Sequence, residues 1–160
     1  MSVAFRREGD DEHLEPKFEL PIPPGPNRVT ARGAALIGAR VAELATQIAQ
    51  PHDEAALTAL KRDLRYWQTR QITAEVMPVP AGDVVEFGTT VAFRLGGKMR
   101  TLSLVGDDEA DPAAGLIAFS APLARALMGA EAGELLPFGG KDEAIEVLAV
   151  AAIAPDGAPR

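Results

Sequence analysis

The chain has no cysteine, which removes disulfides, thiolate metal sites and cysteine nucleophiles at one stroke. Aromatic residues make up only 5% of its 160 positions, so any core must be built mainly from Ala, Val, Leu and Ile. No window approaches the roughly 18 consecutive apolar residues of a membrane span. The opening Met1-Ser2-Val3-Ala4-Phe5-Arg6-Arg7-Glu8 lacks the apolar stretch of a signal peptide, and a cytoplasmic location is expected. Basic residues are also short: 16 Lys and Arg stand against 23 Asp and Glu, for a net charge of -7. Duplex DNA is bound through clustered Lys and Arg on phosphates, so this balance argues against independent DNA binding and for action through a protein partner.

What is present is a 47% hydrophobic chain, long enough for one sizeable core or for two small units. Residues 1–29 combine mixed charge with the cluster Pro21-Ile22-Pro23-Pro24-Gly25-Pro26, which favours an extended or mobile leader over helix. Thr30 is a candidate N-cap. After it Ile37, Val41, Leu44 and Ile48 recur at the spacing of a heptad seam on a helix. Gln50-Pro51-His52-Asp53 interrupts that pattern, and Asp53 can cap a second helix whose seam is Leu57, Leu60, Leu64 and Trp67. Two helices joined by so short a loop run antiparallel, so residues 30–76 read as a helical hairpin with His52, Asp53 and Glu54 at its tip. The apolar stripe is core packing. Lys61 and Arg65, one turn apart with Arg62 alongside, form a basic stripe that is either a solvated face or a contact for RNA or an acidic protein surface.

After a linker at 77–82 the pattern turns towards strands. Val84 to Phe87, Thr89 to Leu95 and Met99 to Val105 are short β-rich runs, with Gly96-Gly97 as a hairpin turn between the last two. Leu116 to Phe119 and Ile145 to Ile153 read as further strands. Pro122 to Met128 suits a short helix with Pro in its first turn and Gly129 beyond its end. The fold class expected is α+β: a short antiparallel coiled coil, then an antiparallel sheet packed on one short helix over residues 83–154, then a tail at 155–160.

The segment from Val105 to Gly129, which holds Val105-Gly106-Asp107-Asp108-Glu109-Ala110-Asp111 and Ser120-Ala121-Pro122-Leu123-Ala124-Arg125-Ala126-Leu127-Met128-Gly129, resembles a signature of the Gre transcription elongation factors. Val84-Val85-Glu86-Phe87-Gly88-Thr89-Thr90-Val91 resembles the first strand of that family's C-terminal domain. Glu131-Ala132-Gly133-Glu134 is similar to one of its turns, and Ala74-Glu75-Val76 to the end of its coiled coil. The resemblance implies an FKBP-like C-terminal domain and a bacterial RNA polymerase partner, with docking at the rim of the secondary channel and a hairpin directed into it. It assigns the docking loop to Ser120, Ala121 and Pro122, with Arg125 on the helix that follows. Family members usually carry Asp or Asn and then Ser at the first two positions, so docking of altered strength is implied.

In the family, two acidic residues at the hairpin tip help to hold a second Mg²⁺ in the polymerase active site for RNA cleavage. Their motif is missing here. Asp53 and Glu54 are the only carboxylates near the tip, and the hairpin arms are shorter than the family's. In that respect the chain is similar to Rnk-type relatives. The expected function is therefore a non-enzymatic regulator that occupies the channel and needs no cofactor of its own. The first alternative is a transcript-cleavage factor, with Asp53 and Glu54 sharing the polymerase Mg²⁺ and the basic stripe touching nascent RNA.

Other readings are weaker. The acidic run Asp107 to Asp111 lacks the ligand spacing of a calcium loop and reads as a solvated or partner-facing loop. A prolyl isomerase, the second alternative, needs an aromatic-lined pocket; Phe87, Phe93, Phe119 and Phe138 read instead as core. His13 and His52 have no ligand companion one turn away. Gly139-Gly140-Lys141 reads as a turn rather than a phosphate loop.

Overall fold

The computed structural model describes residues 19–154; His13, most of the expected leader and the tail at 155–160 lie outside them. The elements in chain order are β1 (Arg28–Val29), α1 (Ala31–Ile48), α2 (Glu54–Thr73), β2 (Glu75–Val76), β3 (Thr89–Leu95), β4 (Lys98–Val105), β5 (Leu116–Ala118), α3 (Pro122–Leu127), β6 (Leu135–Phe138) and β7 (Lys141–Ala152), with a 3-10 turn at Pro112–Ala114. The architecture is α+β. Contacts divide it into a helical unit, residues 19–25 and 37–73, and a sheet unit, residues 26–36 and 74–154.

In the helical unit the expected seam is the packed face. Ile37 and Leu44 are buried, Val41 and Ile48 half-buried, and Leu57, Leu60, Leu64 and Trp67 half-buried opposite them. A side chain at Gly38, near the start of one arm, would meet the amide of Gln71 near the end of the other at 3.6 Å, which confirms antiparallel arms. Asp53 caps α2 as expected, its Oδ1 accepting the Ala56 amide at 2.7 Å. Tyr66 and Trp67 meet edge to face at 5.1 Å.

The five-stranded sheet has the order β5-β4-β3-β7-β6. Gly96 and Gly97, at φ 60 and 79, close the β3–β4 hairpin with Leu95 opposite Lys98, a turn in which both central residues need positive φ. One face of the sheet carries Val91, Phe93, Leu102, Leu104, Ile145 and Val147, and Ala124 and Leu127 of α3 pack on it. Leu104, Leu127, Phe93 and Ile145 are fully buried, a degree of burial that stabilises by about 1.5–3 kcal/mol per large apolar side chain.

Three expectations need correction. The sheet is mixed: β5 runs parallel to β4, because residues 106–115 carry the chain back along the edge through the 3-10 turn before Leu116 pairs with Ser103. Val84 to Phe87 is not a strand. Val85 exchanges backbone bonds with Gly129 and Ala130, and Thr89 then closes a turn, its hydroxyl donating to Glu86 O at 2.7 Å and accepting from Glu86 N at 3.1 Å. The leader expected to end at 29 gives up its last residues to the sheet unit, since Arg28–Val29 pair in parallel with Glu75–Val76 and Asn27 and Val29 are buried. The sequence pattern also does not announce β6, and β7 begins four residues before Ile145.

Candidate functional site

The signature loop is built around a buried carboxylate. Gly106 lies so close to β1 that a Cβ there would run into the carbonyl oxygen of Arg28, and from Gly106 the chain turns through backbone bonds to Glu109 and Ala110. This turn aims Glu109 inward, where it is 6% exposed. Its Oε1 accepts the Thr30 hydroxyl at 2.6 Å and its Oε2 takes Arg32 NH1 at 3.0 Å. Thr30 Oγ1 in turn accepts the Gly33 amide at 2.9 Å, the N-cap expected of it. Glu109 therefore belongs to the packing of the sheet unit, which corrects the reading of the whole acidic run as a solvated loop. Asp107 and Asp108 are half-buried and Asp111 exposed.

The loop assigned to docking begins where β5 ends. Ser120 Oγ donates to Asp107 Oδ1 at 3.1 Å, so the acidic stretch of the signature meets the start of its second stretch. Ala121 is the N-cap residue of α3 without a side-chain capping bond, Pro122 occupies the first turn, and the Arg125 amide bonds Ala121 O at 2.9 Å. Ser120, Pro122 and Arg125 are exposed and Ala121 is half-buried, while Ala124 and Leu127 on the opposite face are buried in the core. The loop is thus a surface feature held on a rigid support. Beside it Phe87 and Phe119 stack edge to face at 5.3 Å, with the Arg28 guanidinium 5.8 Å from the Phe119 centroid.

The other candidate residues lie in the helical unit. At the tip His52 Nε2 meets Gln47 O at 2.5 Å, Asp53 is engaged as the cap, and Glu54 is exposed in the first turn of α2. Of the basic stripe, Lys61 is exposed, Arg62 pairs with Asp63 at 3.4 Å, and Arg65 is held by Glu19 at 2.7 Å. Glu19 was missed in the sequence because nothing in its neighbourhood announces a partner 46 positions on. The four phenylalanines do not converge on a binding pocket. Phe93 is fully buried and Phe138 packs on the core, whereas a cavity of about 110 Å³ in the sheet unit, bordered by Met77, Pro80, Ile153 and the Arg32–Glu109 pair, has Phe87 as its one aromatic wall. No helix among the described residues is long and apolar enough to cross a membrane.

A family model described as Transcription elongation factor, GreA/GreB, C-term matches residues 80–153. The chain is 36% identical over 100 residues to transcription elongation factor GreA of Thermomicrobium roseum, covering 61% of this chain and 62% of that one. It is 37% identical over 112 residues to GreA of Agrobacterium fabrum, covering 66% of each. The match thus spans somewhat less than two thirds of these relatives. The solved structure of GreA factor homolog 1 (Gfh1) of Thermus thermophilus aligns with 80% of the chain and 100% of its own length, at 16% identity and a TM-score of 0.38.

Proposed function

Since this chain belongs to the Gre family of transcription elongation factors, we propose that it binds bacterial RNA polymerase and regulates transcription from the secondary channel. The C-terminal domain is the anchor in this reading, through the exposed loop Ser120, Ala121, Pro122 and the adjacent Arg125. The hairpin is the part that enters the channel, and it acts there by occupancy. The protein is in this sense a regulator and not itself a catalyst.

The observation that carries occupancy over cleavage is the state of the tip. A carboxylate that helps to hold a metal ion in a partner's active site must present free oxygen lone pairs. Asp53 Oδ1 accepts the Ala56 amide at 2.7 Å, so a metal ion drawing on that oxygen would compete with the cap of α2. Glu54, the other carboxylate at the tip, stands in the first turn of the helix, where its charge suits the positive end of the helix dipole. The arms of 18 and 20 residues span about 27 and 30 Å at about 1.5 Å per residue, a reach that suits the channel mouth.

Two assays on purified bacterial RNA polymerase test the reading. The protein should be retained by immobilised polymerase, and should change the rate of elongation or initiation without shortening the RNA of backtracked complexes. Failure of the wild-type chain to bind polymerase would reject the anchor. RNA shortening that is lost in Asp53→Ala/Glu54→Ala would replace occupancy with cleavage, with these two carboxylates sharing the polymerase Mg²⁺ and Lys61, Arg62 and Arg65 flanking the nascent RNA.

A further inference from the structure

The end of the N-terminal arm makes a contact that the polymerase reading does not use. Glu19 lies on α2 as a fork: its Oε1 takes the Arg65 Nε at 2.9 Å and NH2 at 2.7 Å, and its Oε2 takes Nε at 3.2 Å. Forked guanidinium–carboxylate pairs fix geometry as well as charge. Leu20 and Ile22 extend the contact, because with Glu19 they line an open groove of about 400 Å³ whose other wall is Arg65, Tyr66 and Ile72. That wall is cationic at one end and apolar at the other, where Ile72 is 83% exposed. Between Glu8 and Glu19 the sequence is acidic: Glu8, Asp10, Asp11, Glu12 and Glu15 precede Glu19 with Lys17 among them, and Arg6 and Arg7 lie just before that stretch. Within the same two turns of α2 stand Lys61, Arg62 and Arg65.

We propose that this face of α2 is a docking surface for an acidic, extended segment, and that its occupant is the chain's own N-terminal arm, latched by Glu19 on Arg65. Leu20 and Ile22 face Tyr66 and Ile72 across the groove, and the carboxylates upstream supply the charge that matches Lys61. Both latch residues are about half exposed, at 50% and 56%, so the attraction is screened by salt and the arm can be released. A consequence is that the basic stripe is withheld from other polyanions while the arm is in place. The proposal stands on the fork and the groove and does not depend on polymerase binding.

The absence of cysteine makes the test direct. A nitroxide on His13→Cys leaves every carboxylate intact, and paramagnetic broadening is read on the backbone amides of the full chain. Amides of residues 58–69 should broaden selectively. The effect should fall by about threefold or more at about 1 M salt, where the screening length is about 3 Å. It should fall likewise in Glu19→Gln and in Arg65→Gln, while the amide spectrum of the sheet unit stays unchanged. Broadening that is uniform along the chain, or indifferent to Arg65→Gln, would overturn the latch. Broadening that grows with protein concentration would move the occupant to a second copy, and no broadening together with shifts of Lys61 and Arg65 on adding a single-stranded RNA 12-mer would assign the face to nucleic acid; either result sinks the proposal.

Discussion

The Thr30 hydroxyl donates to Glu109 at 2.6 Å across 79 positions of sequence. That bond ties the signature loop to the first turn of α1, with Arg32 as the second partner of the same carboxylate. A buried carboxylate is tolerated because both its oxygens are engaged. Within an acidic run whose pattern reads as solvated or partner-facing, Glu109 is thus the carboxylate least available to a partner.

Glu109→Ala should therefore destabilise the protein more than any change at its exposed neighbour Asp111. It leaves the part-buried Thr30 hydroxyl and the Arg32 guanidinium without their acceptor, a loss of about 1–3 kcal/mol. Urea unfolding checks this as a lower midpoint at unchanged slope. Glu109→Gln, which keeps one acceptor oxygen, should recover part of the loss. Equal midpoints for Glu109→Ala and Asp111→Ala would mean that the clasp contributes nothing.

Gly106 gives a second test of the same packing. Its missing side chain is what allows β1 to pass, since a Cβ would press on the Arg28 carbonyl, a backbone atom that has no rotamer to escape into. Gly106→Ala should cost about 1–3 kcal/mol, the range for overpacking a filled site. Gly33→Ala offers a graded comparison. Its Cβ would sit 2.9 Å from Glu109 Oε1, the end of a side chain that can shift, so its effect should be smaller; the reverse order would contradict the geometry.

Asp53→Ala should lower stability by about 0.5–2 kcal/mol through loss of the cap, and Asp53→Ser should restore most of it because a hydroxyl can accept the same amide. This separates capping from metal binding, since serine is a poor substitute for a carboxylate on Mg²⁺. Thermal unfolding of the three proteins without polymerase is the measurement. Alanine and serine variants of equal stability would free Asp53 for another role.

How much of this was legible in the sequence follows from how local each signal is. Thr30 and Asp53 were readable as caps because a cap bonds an amide only three residues ahead. Gly96-Gly97 was readable as a turn for the same reason. The seam from Ile37 to Ile48 was fixed by its period. Glu109 and Glu19 were not readable, because their partners are 79 and 46 positions away and a lone carboxylate carries no mark of its destination. Val84 to Phe87 misled because its β-rich composition does not reveal that Thr89 folds back on Glu86 and ends the pairing. The parallel placement of β5 was hidden in the loop at 106–115, whose glycines and proline signal turns but not the direction in which the chain leaves them.

The proposed anchor makes the sharpest functional prediction. Arg125 is exposed on the face of α3 opposite Ala124 and Leu127, which hold the helix on the sheet. Arg125→Glu should change stability by no more than about 0.5 kcal/mol, as surface substitutions do, yet it should reduce retention on immobilised RNA polymerase, most clearly at low salt where charge contacts count for more. Pro122→Ala probes the same loop without altering charge and should weaken retention less. Leu127→Ala, which empties the core under the same helix at a cost of about 2–5 kcal/mol, separates a damaged fold from a damaged surface. If Arg125→Glu binds polymerase like wild type while Leu127→Ala does not, the contact lies elsewhere on the domain and the loop from Ser120 to Arg125 loses its assignment.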